Sequence, residues 1–201
     1  MESSYIDKGT LITLEDGSTV AIEDLKVGDK VQSYNMASPE FDMSHIGRSE
    51  QIPIPVIDIM TETIPGEDVY KLVLSNGSTL SVSETTLYSA ESDKGVLELY
   101  DTESDNYKSD SRAGMSEISV GDLIYIDSGE MLENVVVEGV DKWARSREMC
   151  SIWIEGGDTV FANEVLVSVN RRLTEEEEEK MELARLEAVK LDEAEWKINK
   201  I

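Results

Sequence analysis

The chain has 201 residues, of which 43 are acidic and 18 basic, so its net charge at neutral pH is −25. Hydrophobic residues make up 40% of the sequence, which is enough for a folded core, and the length suits one domain with an appendage or two small domains. The excess of acids argues against binding to the phosphate backbone of nucleic acid, whose affinity comes from Lys and Arg displacing counterions, and against binding to an anionic membrane surface.

Two further features bear on the compartment. The N-terminal residues lack the basic and apolar pattern of a signal peptide, and no apolar run approaches the roughly 20 residues that a membrane helix needs. A single cysteine, Cys150, excludes an internal disulfide framework and a multi-cysteine zinc site. We therefore expect a protein that is not secreted, in which Cys150 is a buried thiol of the strand-like segment 149–154 and not a nucleophile.

The first predicted element is a β-hairpin in residues 9–31, followed by a further strand. Thr13 and Val20 favour extended structure, and the Asp-Gly pair at 16–17 supplies the two positive-φ residues of a tight type I′ turn. A Val-Gly-Asp sequence at 27–29 then precedes the next strand.

The same order of residue types returns later in the chain. A second hairpin, in residues 70–82, turns at Asn76-Gly77, and a second Val-Gly-Asp sequence at 120–122 precedes another strand. Two copies are too few for a solenoid. They indicate one compact all-β domain built on an internal pseudo-twofold duplication.

The segments around these copies are less regular. Residues 36–55 lack periodicity and are interpreted as a surface excursion, in which Pro53 and Pro55 permit an edge strand at most because proline has no N–H for a sheet ladder. Further strands are predicted at 56–63, 97–100, 135–143, 149–154 and 159–169. No amphipathic helix is predicted before residue 171.

A loop near the middle of the chain resembles a calcium site, with acids at alternate positions Asp101, Glu103 and Asp105. The pattern then fails, because the sixth position of such a loop is Asn106 rather than Gly and the twelfth is Arg112 rather than Glu. We interpret this segment as a solvated acidic loop. The sequence predicts no metal site and no cofactor.

Residues 171–201 have the features of a long amphipathic helix. Thr174 and Glu177 have the spacing of a capping box, and Glu176–Lys180 and Glu193–Lys197 are i,i+4 pairs in the favourable order. The helix is predicted to run for roughly 25 residues, or about 37 Å at 1.5 Å per residue.

The apolar side chains of this helix fall on one broad face. They are Met181, Leu183, Leu186, Val189, Leu191, Trp196 and Ile198, with Ala184 and Ala188 between them. This face either packs on the domain that precedes it or docks on another subunit. The length and the terminal position favour the second alternative, which makes these side chains the predicted partner-binding residues.

Two segments together resemble a known family. The first has Gly-Thr-apolar-apolar at 9–12, Asp-Gly-x-Thr at 16–19 and Ile-x-x-Leu-x-Val-Gly-Asp at 22–29; the second is Phe-Ala-Asn-Glu-Val-Leu-Val at 161–167. They resemble the first and last blocks of the Hint domain, the fold shared by Hedgehog autoprocessing domains and inteins. The resemblance covers roughly residues 5–170. It implies a mainly β, pseudo-twofold fold of short hairpins at 1–170, to which the helix at 171–201 is appended.

The Hint family carries out an acyl shift, and the resemblance assigns its roles to positions of this chain. An N-terminal Cys or Ser attacks the preceding carbonyl, but Tyr5 stands at that position. A Thr-x-x-His block polarises the peptide bond, but here Ser83 matches the Thr and Thr86 stands at the His position. In inteins a His-Asn pair then releases the C-terminal flank, and the matching residues are Ser168 and Val169.

Nearby residues do not fill these roles. Ser3 and Ser4 are out of register with the nucleophile and leave almost no upstream segment to release, while Asn170 is one place late and is followed by Arg171. The chain's only histidine, His45, lies in the polar excursion. Because a hydroxyl without an adjacent base is a weak nucleophile, we expect that the protein is not an enzyme.

The sequence therefore predicts a catalytically silent Hint-like domain that works through protein contacts in a larger assembly, in the cytoplasm or in a virion. Its partners are other protein subunits, and a phage tail or baseplate is the setting suggested by analogy. One alternative is residual self-processing by Ser4 or Thr86 with a base supplied by a partner. Another is a cation-dependent binding module that uses the acidic loop described above.

Overall fold

The computed structural model describes residues 4–33, 51–83, 85–88, 96–99, 115–127, 132–180 and 183. The chain divides between residues 171 and 172 into two units. The strands are β1 (Ile6–Asp7), β2 (Leu11–Thr13), β3 (Thr19–Ala21), β4 (Lys30–Ser33), β5 (Ile52–Ile64), β6 (Tyr70–Leu74), β7 (Thr79–Val82), β8 (Thr85–Tyr88), β9 (Val96–Leu99), β10 (Met115–Glu117), β11 (Leu123–Asp127), β12 (Leu132–Lys142), β13 (Arg147–Glu155), β14 (Thr159–Ala162), β15 (Val165–Ser168) and β16 (Asn170–Arg172).

The strands form one continuous hydrogen-bonded network. Its main path runs β10-β9-β8-β15-β11-β12-β6-β7-β1-β13-β5-β4, while the β2–β3 hairpin joins through β14 and the short strand β16 pairs with β13. The described registers are antiparallel except for the pair of β9 and β10. The prediction of a mainly β domain is therefore confirmed.

The two predicted hairpins have the same turn geometry. In the first turn the Gly17 N–H donates to the carbonyl of Leu14 (3.0 Å), and in the second the Gly77 N–H donates to the carbonyl of Leu74 (2.9 Å). Both glycines have positive φ, +80° and +85°, which an L side chain adopts only with strain. Asp16 does not have positive φ, and the Gly17 N–H bond to Leu14 puts Glu15 and Asp16 at the centre of the turn, so the predicted type I′ turn is wrong although the hairpin is present. The repeated residue order thus corresponds to a repeated local structure.

The two Val-Gly-Asp sequences also have matching contacts. The Gly28 N–H donates to the carbonyl of Val56, and the Gly121 N–H donates to the carbonyl of Val137, each at 2.8 Å. In each copy the contact ties the start of one strand to the strand that follows it in the chain, β5 or β12. The strand entries are therefore sheet junctions as well as turns.

The core is lined by side chains from almost every described strand. Its largest fully buried side chains are Phe161, Ile6, Ile12, Ile22, Leu72, Leu74, Leu80 and Ile124. Phe161 belongs to the Phe-Ala-Asn sequence of the last block, which explains why a large aromatic stands there. It packs in β14, between the β2–β3 hairpin and β15.

The interpretation of residues 52–55 as part of a surface excursion is wrong. They begin β5, a 13-residue strand, and pair with β4, where Val31 lies opposite Ile54. Ile54 is only 7% exposed. The prolines are tolerated because this part of β5 pairs with β4 alone, so the expectation of an edge position holds.

The single strand predicted at 159–169 is a hairpin. β14 and β15 are joined by Asn163 and Glu164, which both have positive φ, 48° and 70°. This is the backbone of a tight hairpin turn, which the sequence concealed because Glu stands where glycine is usual. Asn163 also ties the turn to two other strands: its Oδ1 accepts from Leu11 N–H (2.9 Å), and its Nδ2 donates to the carbonyl of Thr79 (3.0 Å).

Replacing Glu164 with glycine should raise the free energy of unfolding by about 1 kcal/mol, because a left-handed backbone costs an L residue more than it costs glycine. Urea denaturation followed by tryptophan fluorescence measures the change. Asn163→Gly is the matched control, since it relieves the same strain but loses two side-chain hydrogen bonds. Equal stabilisation by both variants would contradict the assignment of these bonds.

The second unit contains the start of the predicted helix. The helix is described at 175–180 and again at 183, and the rest of the expected 25 residues lies outside the described residues. The capping box is confirmed: Thr174 N–H donates to Glu177 Oε2 (2.9 Å), and Glu177 N–H donates to Thr174 Oγ1 (3.3 Å). The Glu176–Lys180 pair is also confirmed, at 2.7 Å.

The first two residues of the segment predicted as helix are extended. Arg171 and Arg172, which were assigned to the helix segment, belong to strand β16 beside β13. Of the predicted partner-binding face only Leu183 is described, and its side chain is 62% exposed. Met181, Leu186, Val189, Leu191, Trp196 and Ile198 lie outside the described residues.

Candidate functional site

The positions that the Hint resemblance assigns to the nucleophile and to the Thr-x-x-His block are in contact. The Tyr5 N–H donates to Ser83 Oγ (2.9 Å), and the Ser83 N–H donates to the Tyr5 carbonyl (2.9 Å). β1 and β7 create this contact, since Ile6 lies opposite Val82. The fold therefore holds the Ser4–Tyr5 peptide bond against the first residue of the block.

The side chain of Tyr5 leaves this contact. Its hydroxyl donates to Glu62 Oε2 (2.8 Å) on β5, at the protein surface. An acyl shift needs an atom attached to Cβ, which reaches the preceding carbonyl carbon through a five-membered ring. A phenol oxygen is fixed at the far end of a flat ring and cannot reach the carbonyl of its own peptide bond, whatever its ionisation state.

The side chain of Asn170 binds the backbone of Ser4, the residue on the N-terminal side of the Ser4–Tyr5 peptide bond. Its Oδ1 accepts from Ser4 N–H (3.2 Å), and its Nδ2 lies 3.4 Å from the Ser4 carbonyl oxygen. The same Nδ2 donates to Ser151 Oγ (2.6 Å) and lies 3.2 Å from the carbonyl of Ile152. Asn170 thus joins the N-terminal strand, β13 and the end of the domain at one point.

These contacts also restrain Asn170 chemically. Release of a C-terminal flank by asparagine requires its Nδ2 to attack the carbonyl carbon of its own residue. In this structure Nδ2 is directed instead at Ser151, Ile152 and Ser4, and its shortest contact is the one to Ser151. The arrangement favours a positioning role for Asn170.

Of the remaining predicted positions, Ser168 and Val169 are the ones whose side chains the structure describes. Ser168 ends β15 opposite Thr159, and Val169 is a core residue, 8% exposed, whose N–H donates to the carbonyl of Asp158 (2.9 Å). Thr86 lies in β8, opposite Glu98 of β9, and its side chain is not among those that the structure describes. His45 also lies outside the described residues, as does the acidic loop at 101–112.

Sequence reasoning missed two members of the cluster. Ser151 and Glu62 carry no motif, since each is one polar residue in an alternating strand, and only the pairing of β13 with β1 and β5 brings them to Tyr5 and Asn170. Asn170 is one place out of register with the asparagine of the intein His-Asn pair, so the sequence alignment alone gives it no role. A register argument along the chain does not reveal which way a side chain turns at a strand junction.

An ion pair anchors β1 next to this cluster. Both nitrogens Nε and Nη2 of Arg147 bind the carboxylate of Asp7, with Nε 2.9 Å from Oδ1. The guanidinium also stacks on the ring of Trp143, 3.9 Å from its centroid, and the Trp143 Nε1–H donates to Ser81 Oγ (3.1 Å). The hydrogen-bonded carboxylate raises the pKa of Arg147 above its usual value, so the guanidinium stays protonated.

Cys150 is fully buried in β13, as expected, with its Sγ 3.6 Å from Thr61 Oγ1. Burial raises the pKa of the thiol above its ordinary value, which disfavours the reactive thiolate. Its position opposite Ile6 of β1 is a packing position.

Cys150 should react with Ellman's reagent about a hundredfold more slowly in the native protein than in urea, because the thiol is reached only when the strand opens. Absorbance at the thiolate product's wavelength follows the reaction. Val27→Cys in a Cys150→Ser background is the matched control, since Val27 is 67% exposed and a thiol there should react at once. Fast reaction of native Cys150 would contradict the buried assignment.

No three or more His, Cys, Asp or Glu side chains are grouped so that they hold a metal ion, within the part of the chain that the structure describes. Among the same residues, no helix has the length and apolar character needed to cross a bilayer.

Comparison with solved structures identifies the fold. The chain resembles the DnaB intein from Synechocystis sp. PCC 6803, with a TM-score of 0.58 and 15% identity over 84% of this chain and 99% of that one. It resembles the gp41-1 intein with a TM-score of 0.54 and 18% identity, over 84% of this chain and 100% of that one. A bacterial intein-like domain from Clostridium thermocellum gives a TM-score of 0.55 and 19% identity, over 83% and 98%.

No protein-family model and no curated protein matches the chain. The likeness to the solved structures is therefore one of fold, and it confirms the Hint-like architecture expected from the first and last blocks.

Proposed function

We propose that this protein is a Hint-fold chain that does not process itself and that serves as a structural or assembly component through contacts with other protein subunits. A large assembly such as a phage virion, in its tail or baseplate, is the proposed setting, by analogy with other small acidic subunits. The observation that carries the proposal is the Tyr5 side chain, which stands at the nucleophile position and donates to Glu62.

Three further features support the loss of processing. The Ser83 Oγ, at the position of the block's Thr, is 2.9 Å from Tyr5 N, so the peptide bond is held but faces no sulphur or hydroxyl on the Cβ of residue 5. Asn170 directs its amide away from its own carbonyl. The sequence holds one histidine, His45, in a segment unrelated to the blocks.

The test uses folded fusion partners at both ends of the chain, with intact mass spectrometry after expression and after prolonged incubation with thiol. We expect a single unprocessed species, while an active Hint-family domain in the same fusion is cleaved. Efficient cleavage before residue 5 or after residue 170 would overturn the proposal. Ser4→Ala and Asn170→Ala would then show which side chain was responsible.

Residual self-processing is the second candidate, and one observation favours it. The Asn170 Nδ2 lies 3.4 Å from the Ser4 carbonyl oxygen, where a donor would stabilise negative charge developing during attack on that carbonyl. On that carbonyl the nucleophile would be Thr86, with a base from a partner, and its attack would form an ester to Ser4 and release the Tyr5 amine. Ser4, the other possible nucleophile, would attack the carbonyl of residue 3, which precedes it. Cleavage in the fusion assay that appears only when the native partner is added would favour this alternative.

The proposed docking element is the C-terminal helix, continued from the capping box at Thr174 through the apolar face defined above. Because Asn170–Arg172 belong to the sheet, the helix should be removed after residue 172 and not after residue 170. We expect the chain ending at 172 to keep its melting temperature and to lose partner binding. Unfolding of the shortened chain would show that the helix is part of the core.

A further inference from the structure

Strand β5 has an open side. Its first part pairs with β4 up to Pro55, and its remaining part, from Val56 onward, pairs with β13 on the opposite side. Ile57 is the extra residue of a β-bulge opposite Trp153. After Ile57, the side of β5 that faces β4 in residues 52–55 is paired with no strand among the described residues. The segment from Asp58 to Ile64 is therefore a sheet edge, here called the β5 edge.

The pairing of β13 shows which backbone groups lie on that edge. The Glu148 carbonyl accepts from Lys8 N–H on the β1 side of β13 (3.3 Å). Backbone groups alternate sides along an antiparallel strand, so those of Met149 face the other way, toward Glu62 of β5.

The backbone groups of Met60 and Glu62 therefore form hydrogen bonds with β13. Those of the alternate residues point away from β13; these residues are Ile59, Thr61 and Thr63. One contact agrees independently with this assignment. The Ile59 N–H donates to the carboxylate of its neighbour Asp58 (2.9 Å), a bond that an amide engaged with β13 would not make. The β5 edge thus presents a regular row of main-chain donors and acceptors.

The β5 edge carries only part of the protection that is usual at sheet edges, namely the bulge at Ile57 before it and the acidic side chains of Asp58 and Glu62. It contains no proline and no lysine, and its four residues 60–63 are all exposed. Met60, at 41% exposure, adds an apolar contact surface. Edges of this kind are templates for an added strand.

The charged side chains of the β5 edge determine which added strand can pair with it. Asp58 and Glu62 are the only ionisable side chains of the β5 edge, and both are acidic. Antiparallel pairing with a second copy of this edge would crowd four carboxylates together, and like charges on facing strands are destabilising. The net charge of −25 adds repulsion between copies.

We propose that the β5 edge binds an extended segment of a partner protein, rich in lysine or arginine, which adds to the sheet as a strand beside Asp58–Ile64. This proposal rests on the proposed function, since it names the surface and the chemistry of an assembly contact. The hydroxyl of Tyr5 on Glu62 places this surface beside the former processing position.

The probe is a peptide of about ten residues with alternating lysine and valine. Amide exchange measured by nuclear magnetic resonance on the full chain should show Thr61 and Thr63 exchanging fast without peptide and at least about tenfold more slowly with it, because the added strand takes up their N–H groups. Two further peptides carry N-methyl groups on alternate residues, one on the odd and one on the even positions. Each keeps the charge of the parent and loses one of the two sets of backbone N–H donors. The peptide that loses the set facing β5 should fail to bind.

Two pairs of variants separate backbone pairing from charge. Thr63→Pro removes an outward donor without touching the bonds to β13 and should weaken binding about tenfold, while Thr63→Ala should not. Asp58→Lys with Glu62→Lys should weaken binding more than the same change at Glu133 and Glu138, which are exposed acids on β12 with no place on this edge. Melting curves confirm that each variant is folded.

The proposal would be overturned by protection of Thr61 and Thr63 in the free protein or by binding of both N-methylated peptides as tight as that of the parent. Equal weakening by the two charge reversals would also overturn it. So would absence of protection at millimolar peptide. None of these results bears on cleavage of the fusions, so failure of the edge and failure of the proposed function are distinguished.

Discussion

Gly66→Ala is expected to lower the free energy of unfolding by about 3 kcal/mol and the melting temperature by roughly 6 to 12 °C. A Cβ at this position would lie 2.5 Å from the carbonyl oxygen of Trp143 and 2.6 Å from that of Arg145. These are backbone atoms, and Trp143 is held in place by its N–H bond to the carbonyl of Val69 (3.1 Å). The collision therefore cannot be relieved by turning a side chain.

Urea denaturation and a thermal melt measure the loss. Gly139→Ala is the matched control, because its Cβ would meet only Val73 side-chain atoms at 3.5 and 3.6 Å, which is ordinary contact. That variant should be neutral or slightly more stable, since alanine loses less chain entropy on folding. Similar losses at both positions would show that the approach of residues 143–145 to Gly66 is not tight.

Asp7→Ala should destabilise the protein by about 2 to 3 kcal/mol, because it leaves the Arg147 guanidinium partly buried without its carboxylate. The two side chains are 14% and 30% exposed, which places this pair between surface and interior. Loss of the pair also releases β1 from β13, and with it Tyr5. The measurement is urea denaturation, with a double-mutant cycle that includes Arg147→Ala.

The neighbouring residue supplies the comparison. Lys8→Ala breaks the ion pair between Lys8 and Glu148, whose side chains are 44% and 56% exposed, and should destabilise the protein much less than Asp7→Ala because water screens an exposed pair. Asp7→Asn should fall between the two, since it keeps a hydrogen-bond acceptor and loses the charge. A cycle in which Asp7 and Arg147 act independently would refute the anchoring role of the pair.

The contrast between these two ion pairs concerns function as well as stability. Residues 5–7 carry both the position that the Hint resemblance assigns to the nucleophile and the strand that meets Ser83, so the geometry of the candidate site depends on the Asp7 anchor. We expect Asp7→Ala to increase amide exchange at Ile6 and Ser83 before any global unfolding. The intact chain would then hold its old processing site rigid without using it for chemistry, as the proposed function requires.

Much of the fold follows from short-range patterns. Asp16-Gly17 and Asn76-Gly77 predict two hairpins because few other pairs accept the backbone of a tight turn, and both hairpins are present. The Thr174–Glu177 capping box was likewise predicted from a three-residue spacing. These features depend on neighbours in the chain, so the sequence alone is sufficient for them.

Other features depend on contacts between distant segments and were missed. The turn at Asn163-Glu164 has no glycine, and its strain is offset by Asn163 bonds to Leu11 and Thr79, which lie 152 and 84 residues away. The two prolines of β5 suggested an irregular loop, since no local pattern shows that β4 alone would pair there.

By itself, the sequence determined the mainly β class and the duplicated hairpins, because turn chemistry is a local property; the substitution of the processing positions stays a prediction. Only the tertiary structure decided where side chains converge. It turned Tyr5 to Glu62, brought Asn170 to Ser4 and left one side of β5 without a strand among the described residues. The physical reason is that strand pairing joins residues far apart in the chain. The alternation of polar and apolar residues along a strand predicts which face of the sheet a side chain lies on, but not which strand pairs beside it.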